Sequence, residues 1–168
     1  CDELLMSTNF GAGASGNTHV LLSGPGHSNG TVSSQAHLTL AGAGSERSGV
    51  MLSSAGDTTG DGVDDFLIGA GSANGTGGRA YLISGAFVCP VQVNPNDPCP
   101  AMGSLGLEAS SYSYLEGSPY LVSSLGASMA PLGLQPSGTE DAVIGSYQGG
   151  DSIDSSIGSF YIVPASAW

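Results

Sequence analysis

Lysine is absent from this 168-residue chain, and arginine occurs only at Arg47 and Arg79, against 14 Asp and Glu. The formal net charge of −12 repels phosphate backbones and anionic membrane surfaces. Nucleic-acid and lipid-surface partners are thereby excluded, and cations are favoured. Charged residues of all kinds make up 10% of the chain, far below the roughly 25% of an ordinary soluble protein. No apolar run approaches the roughly 20 residues of a membrane span, so none is expected. Nor is there a convincing amphipathic helix: the longest candidate, 101–111, is interrupted by Gly103 and Gly106. What is abundant is glycine, 28 residues beside 9 prolines, which implies many turns. Hydrophobic residues at 40% suffice for a core, and the length fits one domain.

The apolar residues come in runs of four to six bounded by Gly, Ser, Asn and Asp, the pattern of strands rather than helices. Strands are predicted at Glu3–Ser7, Thr18–Ser23, Ala36–Leu40, Val50–Ser54 and Asp65–Gly69. Five more are predicted at Ala80–Ser84, Tyr120–Ser123, Ala127–Ala130, Ala142–Gly145 and Ser159–Val163. The fold class is all-β.

The chain repeats itself. "DELLMS", "DDFLIGA" and "EDAVIGS" share an acidic pair, an apolar run and a small residue, with second acids at Glu3, Asp65 and Asp141. A glycine and a second apolar strand follow each: "GNTHVLLSG", "GRAYLISGA" and "GSFYIVPA". Before the second and third copies lie "SGVMLSSAG" and "LGASMAPLG", aligning Gly49 with Gly126 and Gly56 with Gly133. The unit is about 60 residues with four short strands, the size of a propeller blade. The expected division is a partial blade at 1–45, a complete blade at 46–115 and a partial blade at 116–168. That makes roughly two and a half blades of three, four and three strands, too few to close a propeller alone.

Residues 57–65 read Asp-Thr-Thr-Gly-Asp-Gly-Val-Asp-Asp. Oxygen-bearing side chains fall at Asp57, Thr59, Asp61 and Asp65, Gly62 permits a backbone reversal, and the Val63 carbonyl is available between them. Calcium takes six to eight hard oxygen ligands in a flexible loop, which this alternation supplies. Three carboxylates brought together repel one another without a cation. An EF-hand is excluded, because its twelfth position, a bidentate Glu, is Ile68 here and no flanking helices are predicted. The competing reading is an acidic hairpin turn without an ion.

The segment "SERSGVMLSSAGDTTGDGVDDFLIGAG" resembles the FG-GAP repeat of integrin α-subunit β-propellers and their bacterial relatives. The resemblance implies a calcium loop of the form D-x-[DNT]-x-D-G-x-x-D, matched at Asp57, Thr59, Asp61, Val63 and Asp65. Ser48-Gly49 stands for the family's Phe-Gly, and Gly69-Ala70-Gly71 for its Gly-Ala-Pro. In the third repeat "LQPSGTED" has lost the early carboxylates, so no strong calcium site is expected there, and the first repeat retains only Glu3.

Cys89 and Cys99 flank "PVQVNPNDP", a segment that cannot be helical and reads as an excursion from the fold. A disulfide closing that loop suits an exported protein; two reduced thiols are the alternative. Cys1 is then unpaired, and lipidation, an intermolecular disulfide and a free thiol all stay open for it. Asn29-Gly30-Thr31 and Asn74-Gly75-Thr76 are sequons in predicted loops, acceptors for glycans on an exported chain. Enzyme signatures are weak. "GAGASG" at 11–16 fits G-x-G-x-x-G but runs into a strand rather than a helix, and His19, His27 and His37 lie in strand-like or loop segments.

These features lead to an expectation of a non-enzymatic, extracellular or cell-surface protein that binds calcium and serves a structural or adhesive role. Its open blade edges, "ELLMS" and "SFYIV", contain neither Lys nor Pro, so copies of the chain are the expected partners, in a ring or a filament. A larger parent from which the chain is cut would explain the same edges. The alternative function is a secreted or cell-surface binding module that recognises a protein or glycan through its propeller loops.

Overall fold

The structure is a computed structural model that describes residues 3–8, 15–22, 29–73, 77–88, 101–117, 124–134, 139–146 and 158–168. Cys1, Cys89, Cys99, Asn74 and the strand predicted at Tyr120–Ser123 lie outside these residues. The described chain is mostly strand. Its helical pieces are single turns: α1 (Val32–Gln35), α2 (Gly85–Val88), α3 (Leu107–Ser110) and a 3-10 turn at Ala165–Ala167.

Three sheets form. The first has the order β1 (Glu3–Thr8), β2 (Asn17–Leu22), β3 (Leu38–Ala41) and β7 (Gly103–Gly106). The second is β4 (Ser48–Gly56), β5 (Asp65–Ala70), β6 (Arg79–Ile83) and β8 (Ser113–Glu116). The third is β9 (Leu125–Leu134), β10 (Glu140–Ser146) and β11 (Ser159–Val163). The expected strand count of three in the first sheet is corrected to four. The extra strand, β7, comes from the far side of the cysteine excursion and pairs parallel with β3, Leu38 opposite Gly103. Its sequence, "GSLG", has one apolar residue and no alternation, so it carries no strand signature. Leu107 at the head of α3 is buried in the core that β3 helps to form.

The middle sheet is covered on both faces, and β5, "DFLIGA", is buried at all six positions. That explains why it reads as a continuous apolar run instead of an alternating one. Successive side chains still point to opposite faces. Phe66, Ile68, Tyr81 and Ile83 enter a core shared with Val20, Leu38 and Leu40 of the first sheet. Leu67, Ala80 and Leu82 enter a second core with Leu125, Met129, Ala142 and Ile144 of the third.

The sequence repeat is visible in the backbone. The aligned glycines are both left-handed, Gly49 at φ +82° and Gly126 at +84°, Gly56 at +62° and Gly133 at +102°. So are the residues at the entries to β4 and β9, Arg47 at +55° and Ser124 at +46°. The strand pairs share their irregularities: a bulge separates Ser48–Ala70 from Met51–Gly69, and another separates Leu125–Ser146 from Ser128–Gly145. Adjacent sheets also dock by one recurring contact. The Ser48 N–H donates to the Ser15 carbonyl at 2.8 Å, and the Leu125 N–H donates to the Gly77 carbonyl at 2.9 Å. The neighbouring glycines, Gly16 and Gly78, both at φ +77°, lie so close to Ser48 and Leu125 that an added Cβ would overlap their backbone.

Candidate metal centre

The loop 57–65 joins β4 to β5 in the sheet that is packed on both sides. Asp57 folds the loop back on itself: its Oδ1 accepts the Asp61 N–H and its Oδ2 the Gly62 N–H, both at 2.9 Å. Gly60 and Gly62, at φ +74° and +86°, supply the reversals. Asp61 accepts the Val63 N–H through Oδ1 at 2.9 Å and the Ser84 hydroxyl through Oδ2 at 2.8 Å. Asp65 is buried; its Oδ2 accepts the Thr59 N–H at 2.7 Å and its Oδ1 the Gly85 N–H at 3.1 Å. The Thr59 hydroxyl also donates to Asp65 Oδ1 at 3.3 Å.

The two inner carboxylates are driven apart in acidity. Burial pushes Asp65 up, and the neighbouring Asp61 charge adds to this against the hydrogen bonds from Thr59 and Gly85. Burial also acts on Asp61, but the hydrogen bonds from Ser84, Thr59 and Val63 outweigh it and hold that carboxyl below its ordinary value. An anionic Asp61 therefore sits beside an Asp65 whose charge is disfavoured, and a bound cation would relieve that conflict.

All five residues read from sequence lie in one loop, but their oxygens are shared with the backbone. Among the described residues, no three His, Cys, Asp or Glu side chains are gathered so as to hold a metal ion by themselves. The donor set nonetheless suits a hard cation. The Asp57 and Asp61 carboxylates keep acceptor capacity beyond the hydrogen bonds named, whereas Asp65 Oδ1 already accepts two, and Asp61 and Gly62 are exposed. Two further groups were not legible in sequence. Ser84 follows β6 and reaches the loop only through the fold. Glu140, from the third sheet, sets its carboxylate where a Cβ on Gly56 would stand.

The third repeat separates the roles of these acids. Asp141, the counterpart of Asp65, accepts the Ala165 N–H through Oδ1 at 3.0 Å, as Asp65 accepts that of Gly85. Both aspartates thus tie the start of their strand to the turn that follows the next strand. Asp57 and Asp61 belong to the middle repeat. Asn29, the described sequon asparagine, is exposed next to the turn that precedes α1. No protein-family model and no curated protein matches the chain.

Proposed function

We propose that this chain is a calcium-stabilised module of FG-GAP-like blades, with a structural or adhesive role outside the cell or at its surface, which assembles with copies of itself. The observation that carries the calcium reading is a loop of alternating oxygen donors, Asp57, Thr59, Asp61 and Asp65, folded back on itself at Gly60 and Gly62. Asp57, Asp61 and Asp65 would supply carboxylates, Thr59 a hydroxyl and Val63 a carbonyl. Bound calcium would offset the charge crowded in the turn between β4 and β5. The recurring sheet contact supports the assembly reading, because one mode of docking already serves twice in the chain.

Thermal unfolding in millimolar calcium and in EDTA tests the metal. A ligand that binds only the native state adds about 2.7 kcal/mol at a hundredfold excess over Kd. The expected result is a clear rise in Tm with calcium that Asp61→Ala removes. Coincident curves overturn the assignment. Sedimentation in calcium tests the assembly, and discrete monomers would favour the ligand-binding alternative.

A further inference from the structure

The three sheets share one register: Leu4 faces Leu21, Phe66 faces Ile83, and Ala142 faces Val163. Positions 3–8 of β1 and 17–21 of β2 therefore have counterparts in β5 and β6, and again in β10 and β11. In the middle sheet the face of Phe66 and Ile68 is covered by the first sheet, and the face of Leu67, Ala80 and Leu82 by the third. The first sheet turns Leu5 and Val20, counterparts of Leu67 and Leu82, towards the middle sheet. Its Leu4 and Met6, counterparts of Phe66 and Ile68, are 58% and 39% exposed. The third sheet turns Ala142 and Ile144 inward. Its Phe160 and Ile162, counterparts of Ala80 and Leu82, are 70% and 56% exposed.

The two outer faces are thus the two halves of a contact that the chain makes twice internally. Resting on the assembly reading above, we infer that the Phe160–Ile162 face of one copy packs on the Leu4–Met6 face of the next. The order of sheets then continues from one copy into another. Phe160 and Ile162 stand in positions whose internal counterparts are buried at 0% exposure, and no charged side chain interrupts either pair. The contact is heterologous, so each copy uses both faces, and the assembly closes as a ring or extends as a filament according to the rotation per copy. Two copies would bring six sheets together, within the roughly four to eight blades of closed propellers.

The test uses two variants of the full chain in calcium: Leu4→Glu with Met6→Glu, and Phe160→Glu with Ile162→Glu. All four sites are exposed, and thermal unfolding of each variant verifies its fold. Each variant alone should sediment at the 16.5 kDa of a single chain, because its one intact face has no intact partner. Mixed in equal amounts they should give a species of twice that mass, one intact face meeting another. Wild-type protein should be larger than a monomer. If the wild type assembles but the variants assemble equally well, or the mixture yields no complex, this contact is wrong while self-assembly stands. If the wild type is itself a monomer, both fail.

Discussion

Replacing Gly78 by alanine should loosen the junction between the second and third sheets. Gly78 is at φ +77°, where an L-residue costs roughly 1–2 kcal/mol. Its new Cβ would also overlap the backbone nitrogen and oxygen of Leu125. Neither side can yield easily. The Leu125 N–H is held by the Gly77 carbonyl, and the Gly78 carbonyl accepts the Gly117 N–H at 2.9 Å. Overpacking of this kind costs roughly 1–3 kcal/mol, so about 2–5 kcal/mol is expected in total. Gly44→Ala is the control: Gly44 is also left-handed, at φ +54°, but has no neighbour within 4 Å of an added methyl, leaving only the conformational cost. Urea unfolding followed by fluorescence of the single tryptophan, Trp168, measures both. Gly16→Ala, whose Cβ would overlap the Ser48 carbonyl oxygen, should match Gly78→Ala. Equal losses at Gly44 and Gly78 would refute the steric account of docking.

Leu67→Ala, at the centre of the doubly covered strand, should cost about 2–5 kcal/mol by urea unfolding. Asp141→Ala should cost about 1 kcal/mol through its bond to Ala165, by the same amount in calcium and in EDTA. Asp65→Ala should lose the equivalent tie to Gly85 and, in addition, most of the calcium response. His19 is buried against the Thr39 hydroxyl at 3.0 Å, and burial lowers its pKa below 6.5. The unfolded chain therefore binds the proton more readily, so the stability that neutral His19 contributes is full above pH 6.5 and falls away as pH drops through that value. His19→Leu should flatten the dependence of Tm on pH in that window.

Much of this architecture was legible because the repeat imposes itself on backbone chemistry. Gly49 and Gly126 aligned in sequence for the same reason that they share a left-handed bulge. The apolar runs located nine of the eleven described strands, although β3 begins two residues later than predicted. The strands missed, β7 and β8, are short: "GSLG" has too little apolar character, and "SYLE" follows too closely on the turn α3. Within the candidate site, the spacing of Asp57, Thr59, Asp61 and Asp65 marks out the loop that these residues fold together by their own hydrogen bonds. Ser84 and Glu140 approach it through pairing and packing of distant segments, which no local pattern encodes.

The parallel pairing of β7 with β3 has a consequence for the order in which the chain can fold. After β6 the chain passes through α2, where the Val88 carbonyl lies 3.1 Å from His37 Nε2, and later returns as β7 beside β3 before β8 completes the middle sheet. The outer amides of β3 therefore stay solvent-accessible on a nascent chain until β7, Gly103–Gly106, has left the ribosome. The first sheet cannot be completed until β4, β5 and β6 of the second have been synthesised. Hydrogen exchange should then find β3, β7 and β8 opening as one cooperative unit, with β9–β11 separable from them.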